Sequence, residues 1–474
     1  MAVALGIATT ILVFEAYGFD LDRKTGTVIQ NGLVFIDAHP EQASITINGE
    51  DKGLTDARLV IPDGQYTIEL KRDGYRSWKR TFKLEGSTIE RLVYPFLFPE
   101  KLDSSDVQLY SEVPAFSTQS PDRKWVLVQR PGGLNVFDMM DLSQQDVNPQ
   151  AYTLATTLFT KFGSGSHSLE LAEWSTDNRH VLLKHTFDGG FEFIMADREV
   201  PAESLNVNKT LNLNPAAITL RDKKFDQLYL HMTANGALQL ADLKGKSVSP
   251  MLNGVISYKS YSSEEILYVT AEGAPAGKVL VRIRAADKIY TLRELPAGDA
   301  NYMIDIAKFD GSWFMVAGAS AEKKAYVYKN PFEILNKTSG NRIPIPESVL
   351  KTDAVGQYVS FSTNTRFISL QSGSQFAVYD VEMERLYRYD TKLKLTGGEK
   401  ARWMDGHRLS VTSEGKLVVF EYDGINAQKL VDMSGSHLPY FDRDYDRFFT
   451  ISPSPIVPNR ISMIMTFVRT AADR

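Results

Sequence analysis

AFSTQSPDRKWVLVQ, residues 115–129, and LAEWSTDNRHVLLKH, residues 171–185, decide the fold. Each reads as a short strand, a polar turn of Ser, Asp and Asn, and a second strand of bulky apolar residues. Weaker copies recur: ITLRDKKFDQLYLHM around Phe225, ISYKSYSSEEILYVT around Ile266, and IDIAKFDGSWFMVAG around Trp313. YVSFSTNTRFISLQS around Phe367, ARWMDGHRLSVTSEG around Leu409 and PYFDRDYDRFFTISP around Phe448 complete the series. A third alternating strand follows, as in LNVFDMMD, FEFIMADR, LQLADLKG, FAVYDVEM and LVVFEYDG, and a fourth often trails it, as in Tyr290–Leu295 and Leu386–Thr391. Four strands in a unit of about 35 to 55 residues is the pattern of a propeller blade. Eight units are countable, or seven if one weak unit is absorbed elsewhere. The last shows three strands, up to Met463–Phe467. A propeller ring closes when one end of the chain completes a blade begun by the other, and Val107-Gln108-Leu109-Tyr110 is the candidate strand.

The text Ser120-Pro121-Asp122-Arg123-Lys124-Trp125 resembles the WD40-like repeats of TolB-type and dipeptidyl-peptidase-type propellers. That resemblance implies a β-propeller over residues 104–474 and no function, because function does not travel with this fold.

Upstream, residues 30–98 read as a small hairpin-rich β-sandwich. Leu33–Ile36 is apolar, Pro40 breaks it, and Ser44–Ile47 alternates. Asn48-Gly49 suits the positive φ of a tight hairpin, Lys52-Gly53 reads as a second turn, and Pro62-Asp63-Gly64 as a third. Tyr66, Ile68 and Leu70 alternate again before Gly74-Tyr75 and Trp78. The stretch resembles the PEGA domain, whose Pro-Glu-Gly-Ala signature stands here as Pro40-Glu41-Gln42-Ala43. Asn48, Gly49, Gly53, Thr55, the Gly64-x-Tyr66 pair and Gly74-Tyr75 are its other marks. The resemblance implies a small β-fold recurrent in surface and envelope proteins, with these residues as turn and core positions and none catalytic.

Residues Ala2–Phe14 carry no charge, and after Glu15 an apolar stretch continues to Phe19. A transmembrane helix needs roughly 20 apolar residues, so 1–19 reads as a short membrane anchor helix, whole or truncated, or as a buried strand or helix of the first domain. Residues 20–29 would be a juxtamembrane linker, with Asp20-Leu21-Asp22 and Gly26 in a turn.

Composition narrows the chemistry. The 474 residues have a net charge of −5 with scattered basic residues, which gives duplex nucleic acid no concentrated face. The absence of cysteine removes thiol catalysis, Cys-ligated zinc, iron–sulfur clusters and disulfides. Gly163-Ser164-Gly165-Ser166-His167 has the wrong order for a nucleophile elbow. Gly273 to Lys278 is one residue short of a phosphate-cradling loop and reads as a hairpin. His180 and His185 lie five apart on one strand, hence on opposite faces. Asp442, Asp444 and Asp446 begin like a calcium loop, but the sixth and twelfth places hold Arg447 and Pro453. A solvated turn is the expectation there. Trp125, Trp174, Trp313 and Trp403 fall about one per blade, as inter-blade packing requires, with a carbohydrate-stacking ring as the alternative.

These readings lead to an all-β, non-enzymatic, single-pass protein of a bacterial cell envelope, with the bulk of the chain outside the cell. The propeller would act as a scaffold or binding module for a protein, peptide or glycan. No cofactor, metal or catalytic residue is expected. The alternatives are a propeller enzyme acting on envelope glycans, a hydrolase or lyase, and a membrane assembly or sensor component.

Overall fold

The computed structural model describes residues 19–21, 28–163, 165–299, 301–338, 342–395, 399–434 and 437–474. It is all-β and comprises two compact units. One holds the residues up to Asp103 together with Thr466–Arg474, and the other is Ser104–Met465. The segment read as an anchor lies outside the described residues apart from Phe19. Among the described residues no helix is long and apolar enough to cross a membrane.

The small unit stacks two four-stranded sheets. In the first, Val28–Ile36 is central. It runs antiparallel to Phe19–Leu21 and Ala57–Pro62, and parallel to Ile89–Leu92. The second runs in the order Glu50–Leu54, Ser44–Ile47, Gly64–Lys71, Trp78–Leu84. Alternation places Val34 and Ile36 from one sheet against Ile45, Ile47, Ile68, Leu70 and Trp78 from the other, and this is the core. Gly32 is mid-strand because a Cβ there would come within 2.7 Å of the Leu84 side chain. Asn48 and Gly49 take φ of 51° and 86°, closing the hairpin in which Ile47 faces Glu50.

Three expectations are corrected in this unit. Phe19–Leu21 pairs with Val28–Gln30, so the ends of the supposed 20–29 linker belong to a strand pair. Lys52-Gly53 is not a turn but lies inside the strand Glu50–Leu54, whose pairing with Ser44–Ile47 shifts register by a bulge that Gly53 accommodates at φ 93°. The end of the chain expected in the propeller groups with the small unit, because Thr470 and Asp473 are hydrogen-bonded at Tyr75, although Thr466 and Phe467 still end a strand of the last propeller sheet.

The second unit is a β-propeller of eight four-stranded antiparallel sheets. Blade 1 runs from Ser117 to Thr153, blade 2 from His167 to Asn206, blade 3 from Ala217 to Leu252 and blade 4 from Val255 to Pro296. Blade 5 runs from Tyr302 to Lys351, blade 6 from Tyr358 to Asp390 and blade 7 from Arg402 to Asp432. Blade 8 takes Tyr440–Phe441, Arg447–Pro453 and Ile461–Phe467, and its fourth strand is Asp103–Tyr110, which contains Val107–Tyr110. The ring closes where Val126, Val128 and Met140 of blade 1 pack with Tyr110, Phe449, Ile451 and Met463 of blade 8. At the same seam His437 Nε2–H donates to the Pro114 carbonyl at 2.7 Å, leaving Nδ1 to accept from Ser117 Oγ at 2.7 Å. Burial holds the His437 pKa below its ordinary value.

The repeated sequence is explained by its turns. In blade 1, Ser120 Oγ donates to Asp122 at 2.5 Å and accepts the Trp125 N–H at 2.9 Å, while Asp122 accepts the Lys124 N–H. Blade 6 repeats this with Ser362, Asn364 and the N–H of Phe367 and Arg366. The third residue after the first turn position is left-handed in four blades, at Arg123, Asn178, Thr365 and Tyr445. The Ser-x-Asp pattern is thus a folding device, in which side-chain oxygens satisfy the backbone of a tight turn.

The first strands of neighbouring blades approach one another. Val255–Ser260 meets Tyr302–Phe309, which in turn meets Tyr358–Phe361, and His167–Trp174 meets Ala217–Leu220. These strands therefore ring the propeller axis.

Candidate functional site

Many titratable groups of the propeller are taken up in holding its blades. In blade 2, Arg179 donates to Asp197 at 2.8 and 2.5 Å, and Asp197 Oδ1 also accepts the N–H of Glu199 and Val200. Burial alone would raise this carboxyl, but the Arg179 and backbone donors hold its pKa at about 2. Arg366 and Asp380 of blade 6 repeat the pair at 3.0 and 2.7 Å, with the N–H of Glu382 and Met383 on the same oxygen. Arg408 and Asp405 pair at 2.8 Å in blade 7. In blade 8, Asp442 accepts from Asp446 N, Arg447 N and Arg447 Nε. The Asp442–Asp446 segment is therefore a turn, as read, with Asp442 itself buried and Arg443 and Asp444 exposed.

The tryptophans are packing groups in part. Trp174 Nε1–H donates to Thr118 of blade 1, and Trp403 Nε1–H to Ser360 of blade 6, so each pins its own inner strand to that of the preceding blade. Trp125 lies beneath the Arg198 guanidinium at 4.0 Å, and Trp313 packs edge-on against Tyr261 and Phe332.

His180 and His185 do point apart. His180 Nδ1 meets Asp177 at 2.7 Å and its ring stacks on Phe225 at 3.7 Å. His185 is fully buried and joins a network that the sequence reading missed. Its Nδ1 meets Glu192 at 2.9 Å and its Nε2 meets His167 Nδ1 at 2.9 Å. Glu192 also accepts Thr160 N–H and O–H at 2.6 Å each and Asn206 Nδ2 at 2.7 Å. Burial would raise the Glu192 carboxyl, yet these donors hold its pKa at about 2. With four donors on its two oxygens, it has little capacity left for a substrate. It ties the 156–160 loop to the blade. Asp188-Gly189 at the hairpin tip sets His185 opposite Glu192, so that half of the network was legible. Ser166 donates to Asp188, and Ser164 lies outside the described residues. Gly277 lies in the connection between two strands of blade 4.

The axis differs. Lys259 on the inner strand of blade 4, Asp305 on that of blade 5, and Lys400 and Arg402 at that of blade 7 have no ion pair among the described residues. Lys259 and Arg402 are solvent-exposed although they sit at the innermost strands, so water reaches the axis. Lys400 and Arg402 flank buried Ala401, one just before and the other at the start of the strand Arg402–Trp403. Lys400 Nζ lies 5.5 Å from the ring centre of Tyr358 on the inner strand of blade 6. Burial depresses the Lys400 ammonium, and the like charges of Arg402 and Lys259 depress it further. Burial raises the Asp305 carboxyl, while Lys259, the Ile306 N–H, Lys400 and Lys223 act in the opposite sense. Lys259 and Asp305 lie on the inner strands of blades 4 and 5 and Lys400 just before that of blade 7, so all three are placed beside the ring of inner strands. Two residues before Lys259 and on its face, the buried Ser257 hydroxyl has no hydrogen-bond partner among the described residues. Lys223 is paired, with Glu173.

In the small unit, the signature residues act structurally. Thr55 Oγ1 accepts the Ala43 N–H at 3.0 Å, and Thr55 N–H donates to the Ala43 carbonyl at 2.8 Å. Pro40 is buried, and Tyr66 O–H donates to the Pro62 carbonyl two residues before Gly64. Residues 31–93 match the PEGA domain family. They form a PEGA domain. Its Gly74-Tyr75 turn does more than reverse the chain: Tyr75 O–H donates to Asp473 Oδ2 at 2.6 Å and accepts the Thr470 N–H at 3.0 Å, while Arg72 pairs with Asp473. Burial and the Asp473 bond raise the Tyr75 phenol. These residues line an open recess of about 710 Å³ in the PEGA-containing unit, with Gln42, Lys71 and Glu100 on its walls. The polar groups of the Tyr75–Asp473 contact are already satisfied within the unit, so the recess is a weaker candidate than the axis.

No curated protein matches the sequence. Among solved structures the chain is similar to an oligogalacturonate lyase in complex with manganese, at 8% identity and TM-score 0.43 over 79% of this chain and 100% of that one. It is also similar to the β-propeller domain of Cps50 (Swd1) from Myceliophteria thermophila, at 9% and 0.36 over 78% and 100%. A eukaryotic initiation factor is similar at 10% and 0.44 over 76% and 92%. At these scores the likenesses carry no functional argument, and the propeller assignment rests on the eight sheets and their closing seam.

Proposed function

We propose that the chain is a non-enzymatic binding module of a bacterial cell envelope. In this reading the N-terminal apolar run tethers it to the membrane, the propeller lies outside the cell, and a ligand is taken at the propeller axis. The observation that supports axial binding is the contrast just described. Blade carboxylates are neutralised by arginine and backbone donors, whereas Lys259, Lys400, Arg402 and Asp305 have no ion pair among the described residues. Charges left without an ion-pair partner beside the inner strands mark a candidate recognition site.

The test is capture from solubilised envelopes with the full chain and with a Lys259→Gln, Lys400→Gln, Arg402→Gln variant. The proposal expects a component retained by the former and lost by the latter. Recovery of nothing above background, or equal recovery by both, would overturn it. The topology is tested separately, by protease treatment of intact cells carrying an epitope after Arg474. Cleavage while a cytosolic control survives supports the outward placement, and protection until lysis removes it. Turnover in a glycan and peptide screen that disappears on Asp305→Asn would replace the binding module with an enzyme.

A further inference from the structure

The chemistry of the axis specifies more than a charge. Lys259, Lys400 and Arg402 supply three cations from two blades, and the one acid among them without an ion pair is Asp305. A purely anionic polymer would gain from the cations and be repelled by Asp305. A ligand that carries a carboxylate together with hydroxyl groups uses both, since its hydroxyls can donate to the Asp305 oxygens while its carboxylate meets the guanidinium and ammonium groups. Two further features fit the same molecule. The Ser257 hydroxyl, buried on the face of Lys259 and without a partner among the described residues, is available to a polar ligand. Tyr358, whose ring centre lies 5.5 Å from Lys400 Nζ, places an aromatic side chain beside the cations.

We infer that the propeller axis binds an acidic sugar, a uronate-type unit, with Arg402, Lys400 and Lys259 on its carboxylate and Asp305 and Ser257 on its hydroxyls. This rests on the reading of the axis as the binding site. It narrows the ligand from anything envelope-borne to one chemical class, whether free acid or a unit of a polymer.

The experiment is titration calorimetry of the full-length protein with four probes: glucuronate, a uronic acid oligomer, the matching neutral glucose oligomer, and poly-glutamate. The uronic acid oligomer is expected to bind and the neutral oligomer to bind at least tenfold more weakly. Arg402→Gln and Lys400→Gln are each expected to weaken uronate binding by roughly tenfold, the scale of one lost charge-assisted hydrogen bond. Ser257→Ala, which removes no charge, is expected to weaken it by a smaller factor, and circular dichroism checks that each variant is folded. Binding of glucuronate alone as tightly as the oligomer would assign the free acid, and a marked preference for the oligomer would assign the polymer. Both outcomes support the inference. Equal affinity for the neutral oligomer, or poly-glutamate binding more tightly than the uronates with the same variant sensitivity, would overturn it. If no uronate binds but the charge-dependent capture from envelopes persists, the sugar inference falls and the axial site stands. If the capture also fails, both fall.

Discussion

The rim turns and the axis of the propeller use the same residue types in opposite ways. At the turns, Arg179 with Asp197 and Arg366 with Asp380 form two-pronged pairs in which the carboxylate is almost fully buried and also accepts backbone N–H groups. At the axis, Lys259, Lys400, Arg402 and Asp305 come from three blades and none completes an ion pair among the described residues. A charge that has been buried and paired is committed to the fold, and removing its partner leaves an uncompensated ion. A charge without a protein partner at a hydrated axis contributes little to stability, and is free to meet a ligand. The comparison therefore predicts that stability and ligand binding separate cleanly by position, and it can be broken by any substitution that moves the wrong one.

The largest expected effect is acid unfolding. Glu192 and Asp197 have native pKa values of about 2 against ordinary values of 4.5 and 3.8. Both are depressed, so their contribution is present in full above the ordinary values and is lost as pH falls from there towards about 2. His437 adds an earlier step. Its native pKa lies below its ordinary 6.5, so the unfolded chain binds the proton first and stability declines as pH drops below 6.5. Denaturant midpoints measured from pH 8 to pH 2 should show a plateau, a shallow decline below 6.5 and a steep one below 4.5. A midpoint unchanged between pH 5 and pH 3 would contradict the idea that these acids hold the blades.

Next comes Asp380→Ala. It strips Arg366 Nε and Nη2 and two backbone N–H groups of their buried acceptor, leaving the guanidinium only the exposed Glu382, and breaking a buried pair of this kind costs about 3 kcal/mol. Urea denaturation should report that loss, while axial binding by the folded fraction stays unchanged. A loss of binding in folded protein would erase the distinction between the two regions.

Much of this architecture can be read from the sequence, because its signals are local. The Ser-x-Asp turn, the alternating strands and the Asn48-Gly49 hairpin each lie within a few residues, and the closing strand Val107–Tyr110 follows from counting to eight. What could not be read is convergence. Lys259, Asp305 and Arg402 sit inside quoted repeats, in ISYKSY, IDIAKF and ARWMDG, yet nothing in those strings says that they face one axis. The copies are too degenerate for their positions to be aligned, and a two-residue hairpin in blade 5 replaces the longer turn of blade 1, which shifts the equivalence of the inner-strand positions. Thr160, His167 and Glu192 were missed for a related reason: a loop and two strands meet at His185, and only the hairpin pairing had a local signal. The bulge at Gly53 imitated a turn because glycine serves both.

Glu192→Gln should have an intermediate effect. The amide keeps the shape, but one of its two terminal atoms becomes a donor facing groups that themselves donate. A loss of about 2 kcal/mol is expected for one conflicted buried site. The variant should also flatten the steep acid limb below pH 4.5, since the group that titrates there is gone. A flattened limb with unchanged neutral stability would mean that the network is less tightly made than its distances suggest.

The smallest effect is expected at Lys400→Gln, and it separates the two regions most sharply. Lys400 is flanked by the like charges of Arg402 and Lys259, which, with burial, lower its pKa. Removing its charge relieves repulsion and deprives no carboxylate of an ion-pair partner. Its aliphatic stem beside Tyr358 is largely replaced by the glutamine stem. Stability at neutral pH should therefore stay within about 0.5 kcal/mol of the parent or rise slightly. Binding of an acidic ligand should nevertheless fall. A buried structural lysine would show the reverse, with lost stability and intact binding. Measured side by side with Asp380→Ala, the two substitutions give opposite entries in a stability-against-affinity plot only if the axis is the surface that the fold leaves available for a partner.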